Sequence, residues 1–155
     1  MATEARIIEV SSDETLETCA RRIIVTYFQE MMSYKEGAKC GTDITFVHDM
    51  RVTSRRLRTA LDNFASCFRK RPFKKYYKRI KAITQTMGAV RDLDVLIARF
   101  RNELSTLSKV EGADIQALIA DLQREHEEAR KPMLMLFAEL EETDFEDRFL
   151  AFFRE

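Results

Sequence analysis

A chain of 155 residues with 45% apolar composition is long enough for one compact domain with a buried core, which excludes a disordered chain. Four glycines and two prolines are too few for the turns of a strand-rich fold, and they point to long helices with few connections. The formal net charge is zero, yet His48 to Arg101 holds 15 Lys or Arg against four Asp, and the rest of the chain holds 11 basic against 22 acidic residues. Charge segregation of this size fits a polyanionic partner for the basic stretch.

The three cysteines, Cys19, Cys40 and Cys67, are widely spaced and form no Cys-x-x-Cys pair, so neither a zinc site nor a disulfide framework is expected. Reduced thiols in a cytoplasmic protein are the simpler reading. Glu4, Glu9, Asp13, Glu14 and Glu17 make the start acidic, the opposite of a signal peptide. No apolar run approaches the ~20 residues of a membrane span, so no membrane partner is expected.

In chain order, Ser11 to Glu14 reads as a capping box that opens a first helix from about Ser12 to about Glu36. Leu16, Cys19, Ile23, Tyr27 and Met31 form its apolar stripe. Gly37 and Gly41 bracket a loop. Asp43 caps a second helix from about Ile44 to about Phe68, with Met50, Leu57, Leu61, Phe64 and Phe68 at helical spacing. Pro72 suits the first turn of a third helix, where its missing N–H costs nothing. That helix runs through Tyr76, Ile80, Ile83 and Met87, past Gly88 as a kink or close contact, to about Leu104.

Gly112 ends a second loop, and a fourth helix follows from about Ala113 to about Glu141, with Ile115, Leu118, Ile119 and Leu122 on its apolar face. Pro132 should kink or restart it. Thr143 to Glu146 reads as a second capping box before a short helix carrying Phe145, Phe149, Phe152 and Phe153, which is expected to close the end of the bundle. The predicted architecture is all-α: an antiparallel four-helix bundle of long amphipathic helices plus a short C-terminal helix, as one domain over residues 1–155.

At roughly 100° per residue, His48, Arg51, Arg55 and Arg58 fall in one narrow sector of the second helix, beside its apolar stripe, with Arg56 on a flank. Lys74, Lys78, Lys81 and Gln85 share one face of the third helix, with Lys75 and Arg79 flanking it. Two adjacent antiparallel helices would present these rows side by side, with cations one turn apart, about 5 Å, close to the repeat of a phosphate chain. Arg and Lys supply the many fixed-charge donors that phosphate oxygens need. A solvated face stabilised by i, i+4 pairs is the ordinary alternative, but acidic partners are nearly absent here.

A nucleic acid is a less suitable polyanion, because no zinc-finger, basic-zipper or RNA-recognition signature is present and aromatics do not interleave with the cations; backbone-only binding remains open. A metal-dependent phosphohydrolase would have to use Asp92, Asp94 and His48. Pairing of the two aspartates with nearby arginines is the preferred reading, so no catalytic residue, metal or cofactor is expected. His126 lies among glutamates with no evident role.

Val47-His48-Asp49-Met50-Arg51-Val52-Thr53-Ser54-Arg55-Arg56-Leu57-Arg58 resembles the opening signature of the CHAD family, the conserved histidine α-helical domains. Gly88-Ala89-Val90-Arg91-Asp92-Leu93-Asp94-Val95-Leu96 resembles that family's second signature, at the spacing the family uses. The likeness is firmest over residues 47–100. It implies a helical, non-enzymatic domain that binds inorganic polyphosphate through a basic groove, in the cytoplasm and often on polyphosphate granules. It assigns phosphate contact to His48, Arg51, Arg55 and Arg58, to Lys74, Lys78 and Lys81, and to Arg91, with Arg56 and Lys75 beside them.

Typical members contain two pseudo-symmetric bundles in about twice this length, and no second His-x-x-Arg motif follows Leu104. A homodimer that rebuilds the full groove is therefore expected. The residues before Val47 lack the alternating Glu-x-Glu-x-Lys strand of the triphosphatase domain to which some members are fused.

Overall fold

The computed structural model describes residues 8–155, so Glu4 of the acidic start lies outside the described residues. Six α-helices follow one another, and no strand occurs among the described residues: α1 (Leu16–Ser33), α2 (Lys35–Cys40), α3 (Thr45–Phe64), α4 (Lys70–Leu104), α5 (Lys109–Glu142) and α6 (Phe145–Arg154). α3 packs on α1 and α4, α4 packs on α5, and α6 lies against both α1 and α5. The all-α bundle is as the sequence predicts.

Several helix boundaries differ from expectation, each for a local reason. α1 is capped by Thr15, whose side chain accepts from the Thr18 amide. The Ser11–Glu14 box does not form, because the Glu14 carboxylate is taken by Arg22 at 2.6 Å. The α1 stripe turns by one residue: Leu16 is 65% exposed, whereas Ala20, Ile24, Phe28 and Met31 are fully buried.

The segment expected to be a loop at Gly37 is helical. Phe46 packs where a Cβ on Gly37 would stand, so the glycine admits the ring against α2. Gly41 ends α2 with φ at 76°, in the left-handed region that glycine adopts without penalty. The N-cap of α3 is Ile44 and not Asp43, which stands one residue earlier and accepts from the Thr45 amide at 2.9 Å and from its hydroxyl. α3 stops at Phe64, and a 3₁₀ turn over Ala65–Cys67 carries the chain to α4.

α4 is unbroken through Gly88, and α5 is unbroken through Pro132. α5 starts earlier than predicted because Ser108 and Glu111 form a complete capping box, which places Gly112 inside the helix. The Thr143–Glu146 box is absent. Thr143 instead donates its hydroxyl to the Glu139 carbonyl at the end of α5, and α6 starts after Asp144 in a left-handed conformation.

One large core runs through α1, α3, the first half of α4, the second half of α5 and α6. α6 closes the end of the bundle as expected. Phe149 stacks on Phe28 with centroids 3.8 Å apart, Phe153 meets Phe68 edge-on at 5.0 Å, and Tyr76 lies against both. Arg21 ties α1 to the α3–α4 connection and to α6, with its guanidinium over Phe68 and a hydrogen bond to the Phe152 carbonyl at 3.1 Å.

α4 has 35 residues, about 52 Å, against 20 for α3. Its last turns therefore outrun α3 and pair with the start of α5 as a two-helix arm. A small cluster of Ile97, Ile119 and Leu122, supported by Leu93, Phe100, Leu104 and Ile115, holds the arm together. Where the arm leaves the bundle, the Asp94 carboxylate and His126 meet at 2.6 Å.

Phe149 is fully buried at the meeting of α1, α4 and α6, so Phe149→Ala should lower stability by about 3–5 kcal/mol, read as a lower midpoint in urea unfolding at unchanged slope.

Candidate functional site

α3 and α4 run antiparallel, in a register set by a buried chain of hydroxyls. Thr84 Oγ1 donates to Ser54 Oγ at 3.0 Å, and Ser54 Oγ donates to the Arg51 carbonyl at 2.7 Å. Leu57 and Leu61 of α3 and Ile80, Ile83 and Met87 of α4 are fully buried in the same core. This packing leaves one flank of each helix facing outward beside the other.

On the α3 flank, His48, Arg51 and Arg58 are half-buried and Arg55 is exposed. Arg51 lies against Gly88, with its Nε 3.5 Å from where a Cβ would stand, and its guanidinium is 3.8 Å from Asp92. Gly88 thus makes a close contact without breaking its helix. The Arg58 guanidinium sits 6.0 Å from the centroid of the Tyr77 ring. The Nε atoms of Arg51 and Arg58 are both buried without a hydrogen-bond partner among the described residues.

On the α4 flank, Lys74, Lys78 and Lys81 are exposed. Lys81 lies two turns from Lys74 and two turns from Gly88, so the lysine row leads along the helix toward Arg51. Lys74 also lines an open cavity of 470 Å³ with Asp62, Lys70 and Tyr77 at the α3–α4 corner. Arg91 stands close enough to His48 to act on its charge. Burial first, and then Arg91, holds the His48 imidazole below its ordinary pKa, with Arg51 adding to the effect and Asp49 opposing it.

Two of the residues singled out in the sequence stand elsewhere. Arg56 turns toward α1, lining a shallow cavity with Ile23 and Tyr27. Its charge there offsets part of the rise that burial and Glu30 impose on the Tyr34 phenol. Lys75 lies on the other flank of α4, in a separate cavity with Arg79 and Arg148. Both are cations next to the predicted rows in sequence, but a step of one residue turns a helical side chain by about 100°.

The aspartate pair divides as well. Asp92 is exposed beside Arg51, as read from the sequence, whereas Asp94 is 6% exposed and is bonded to His126 rather than to an arginine. Burial raises the Asp94 carboxyl above its ordinary range, against the opposing pull of His126 and Arg91. Asp92, Asp94 and His48 therefore do not converge on one point, and no group of three or more His, Cys, Asp or Glu is placed to hold a metal among the described residues.

Sequence reasoning missed the roles of Tyr77, Ser54 and Thr84. Tyr77 was detectable, three residues from Lys74 on the same face. The two hydroxyls carried no signal, because a Ser and a Thr on neighbouring helices announce nothing until the helices are paired.

No curated protein and no solved structure matches the chain. The CHAD domain profile matches residues 22–155, which takes in α3, α4 and every residue of both cationic rows. The chain belongs to the CHAD domain family.

Proposed function

We propose that this protein binds inorganic polyphosphate along the α3–α4 face, as a targeting or accessory module and not as an enzyme. One observation carries the reading: two antiparallel cationic rows on neighbouring helices, in which Arg51 stands 3.8 Å from Asp92 while Arg55, Arg58, Lys74, Lys78, Lys81 and Arg91 form no ion pair among the described residues. Membership of a family of polyphosphate-binding domains supports the identity of the anion. His48, Arg51, Arg55 and Arg58 contact phosphate from one side, and Lys74, Lys78, Lys81 and Arg91 from the other. No helix among the described residues is long and apolar enough to cross a membrane. A module of this kind works in the cytoplasm, on polyphosphate granules.

The chain pairs with a second copy to complete a longer binding surface. What supports the pairing is the apolar surface left along the α4–α5 arm, where Val95, Leu96 and Leu118 are exposed. Light scattering should read a dimer at micromolar concentration; a monomer that still binds polyphosphate tightly would remove the second copy from the site.

Arg55→Glu with Arg58→Glu should weaken long-chain polyphosphate binding by at least about 100-fold, since each charge-assisted contact contributes roughly 1.5–3 kcal/mol. The circular dichroism of a helical bundle should persist. Wild-type affinity should fall steeply with salt. In competition at equal phosphate concentration, single-stranded RNA and DNA should fail to displace the polyphosphate; equal displacement would reduce the face to a nonspecific cation patch.

Binding should also take up a proton. In the free protein, burial and Arg91 keep His48 neutral at neutral pH, and a bound polyanion offsets Arg91 and raises the imidazole pKa. Affinity should therefore rise as pH falls through the ordinary histidine range, and His48→Gln should flatten that dependence in calorimetric titrations.

A further inference from the structure

The displacement of Lys75 from the α3–α4 face leads to a second cationic place. Lys75 lines a cavity of 270 Å³ between the start of α4 and the α5–α6 corner, together with Arg79, Arg148, Tyr76 and Thr143. Arg79 is paired there with Glu139. Lys75 and Arg148 are exposed and have no carboxylate partner among the described residues. The acidic residues that open α6, Glu146 and Asp147, line a different cavity with Met32 and Lys35 and do not face this one.

The cleft is not isolated from the first face. At about 100° per residue, Lys81, Lys74, Lys78, Arg71, Lys75 and Arg79 succeed one another around α4 in steps of about 20–40°. They sweep from the flank beside α3 to the flank beside α6. No Asp or Glu occurs between Asp62 and Asp92, so no carboxylate of α4 interrupts the sweep. The apolar residues Phe73, Tyr76, Ile80 and Ile83 fill the opposite half of the same turns, against the core.

Resting on the polyphosphate reading above, we infer that a long polyphosphate chain leaves the α3–α4 face, crosses the outer surface of α4 and ends in the Lys75–Arg79–Arg148 cleft. α4 then serves as a post around which the chain bends. Half the circumference of a helix is roughly 17 Å, so the crossing needs a run of phosphates and is beyond a chain of three. The protein selects for length because only a chain long enough to turn around α4 gains the second set of cations. Phosphoryl oxygens are the right ligand for the cleft, since Lys75 and Arg148 offer point and forked donors around a cavity of 270 Å³.

The experiment compares the full chain with a Lys75→Ala, Arg148→Ala double variant, titrated with tripolyphosphate and with long-chain polyphosphate. Both side chains are exposed, so the fold should be kept, and the melting temperature verifies this. Long-chain affinity should fall about tenfold and its salt slope should drop by roughly one to two, while tripolyphosphate affinity stays within about twofold. Arg148→Ala alone, which leaves α4 untouched, should give a smaller loss of the same selective kind. Equal losses for both ligands would overturn the inference, and so would no loss for either, while leaving binding at the α3–α4 face standing. If the unaltered protein binds neither ligand, the polyphosphate reading itself fails, and this inference fails with it.

Discussion

The register of α3 against α4 is the constraint on which the cationic face depends. Thr84 and Ser54 are buried, and each satisfies its hydroxyl through the other helix or its own backbone. Sliding α4 by one turn would break the one bond between the helices, from Thr84 to Ser54, at about 0.5–1.5 kcal/mol, while each hydroxyl kept a carbonyl of its own helix, and it would also disturb the core that Leu57 and Leu61 share with Ile80 and Ile83. With the register held, Arg58 stands level with Tyr77, Arg51 with Gly88, and His48 with Arg91. The geometry of the surface is thus written in the interior.

That surface is electrostatically unfavourable to itself. Like charges three and four residues apart destabilise a helix by a few tenths of a kcal/mol per pair, and α4 has no carboxylate before Asp92 to relieve them. The aromatic cluster under the same turns compensates, since Phe68, Phe73, Tyr76, Phe149 and Phe153 pack into one another there. The acidic half of the chain does not cancel the cations of the face. Glu14 pairs with Arg22, Glu141 with Lys35 and Glu139 with Arg79, all away from it. A polyanion that binds the folded chain stabilises it by supplying the missing countercharge.

The helices, their order and the two cationic rows were legible because they follow from periodicity, which needs only one helix at a time. What required two helices was not legible. Arg56 and Lys75 are adjacent to the rows in sequence, and only the positions of α1 and α6 decide which neighbour each one faces. His126 read as idle because its partner Asp94 lies on another helix. The capping boxes show the same limit locally. Ser11–Glu14 and Thr143–Glu146 have the pattern, but Arg22 takes the carboxylate of one and the Glu139 carbonyl takes the hydroxyl of the other, while Ser108–Glu111 forms unopposed.

α4 does two jobs along its length, and Arg91 stands at the join. Before it, the helix carries cations over an aromatic core; after it, the helix outruns α3 and is held only by α5. The cluster of Ile97, Ile119 and Leu122 is small, so the buried Asp94–His126 bond matters to where the arm departs. The charge of Arg91 reaches both sides of this boundary, disfavouring the proton on His48 and on Asp94 alike. An anion held beside Arg91 offsets that charge at both residues at once.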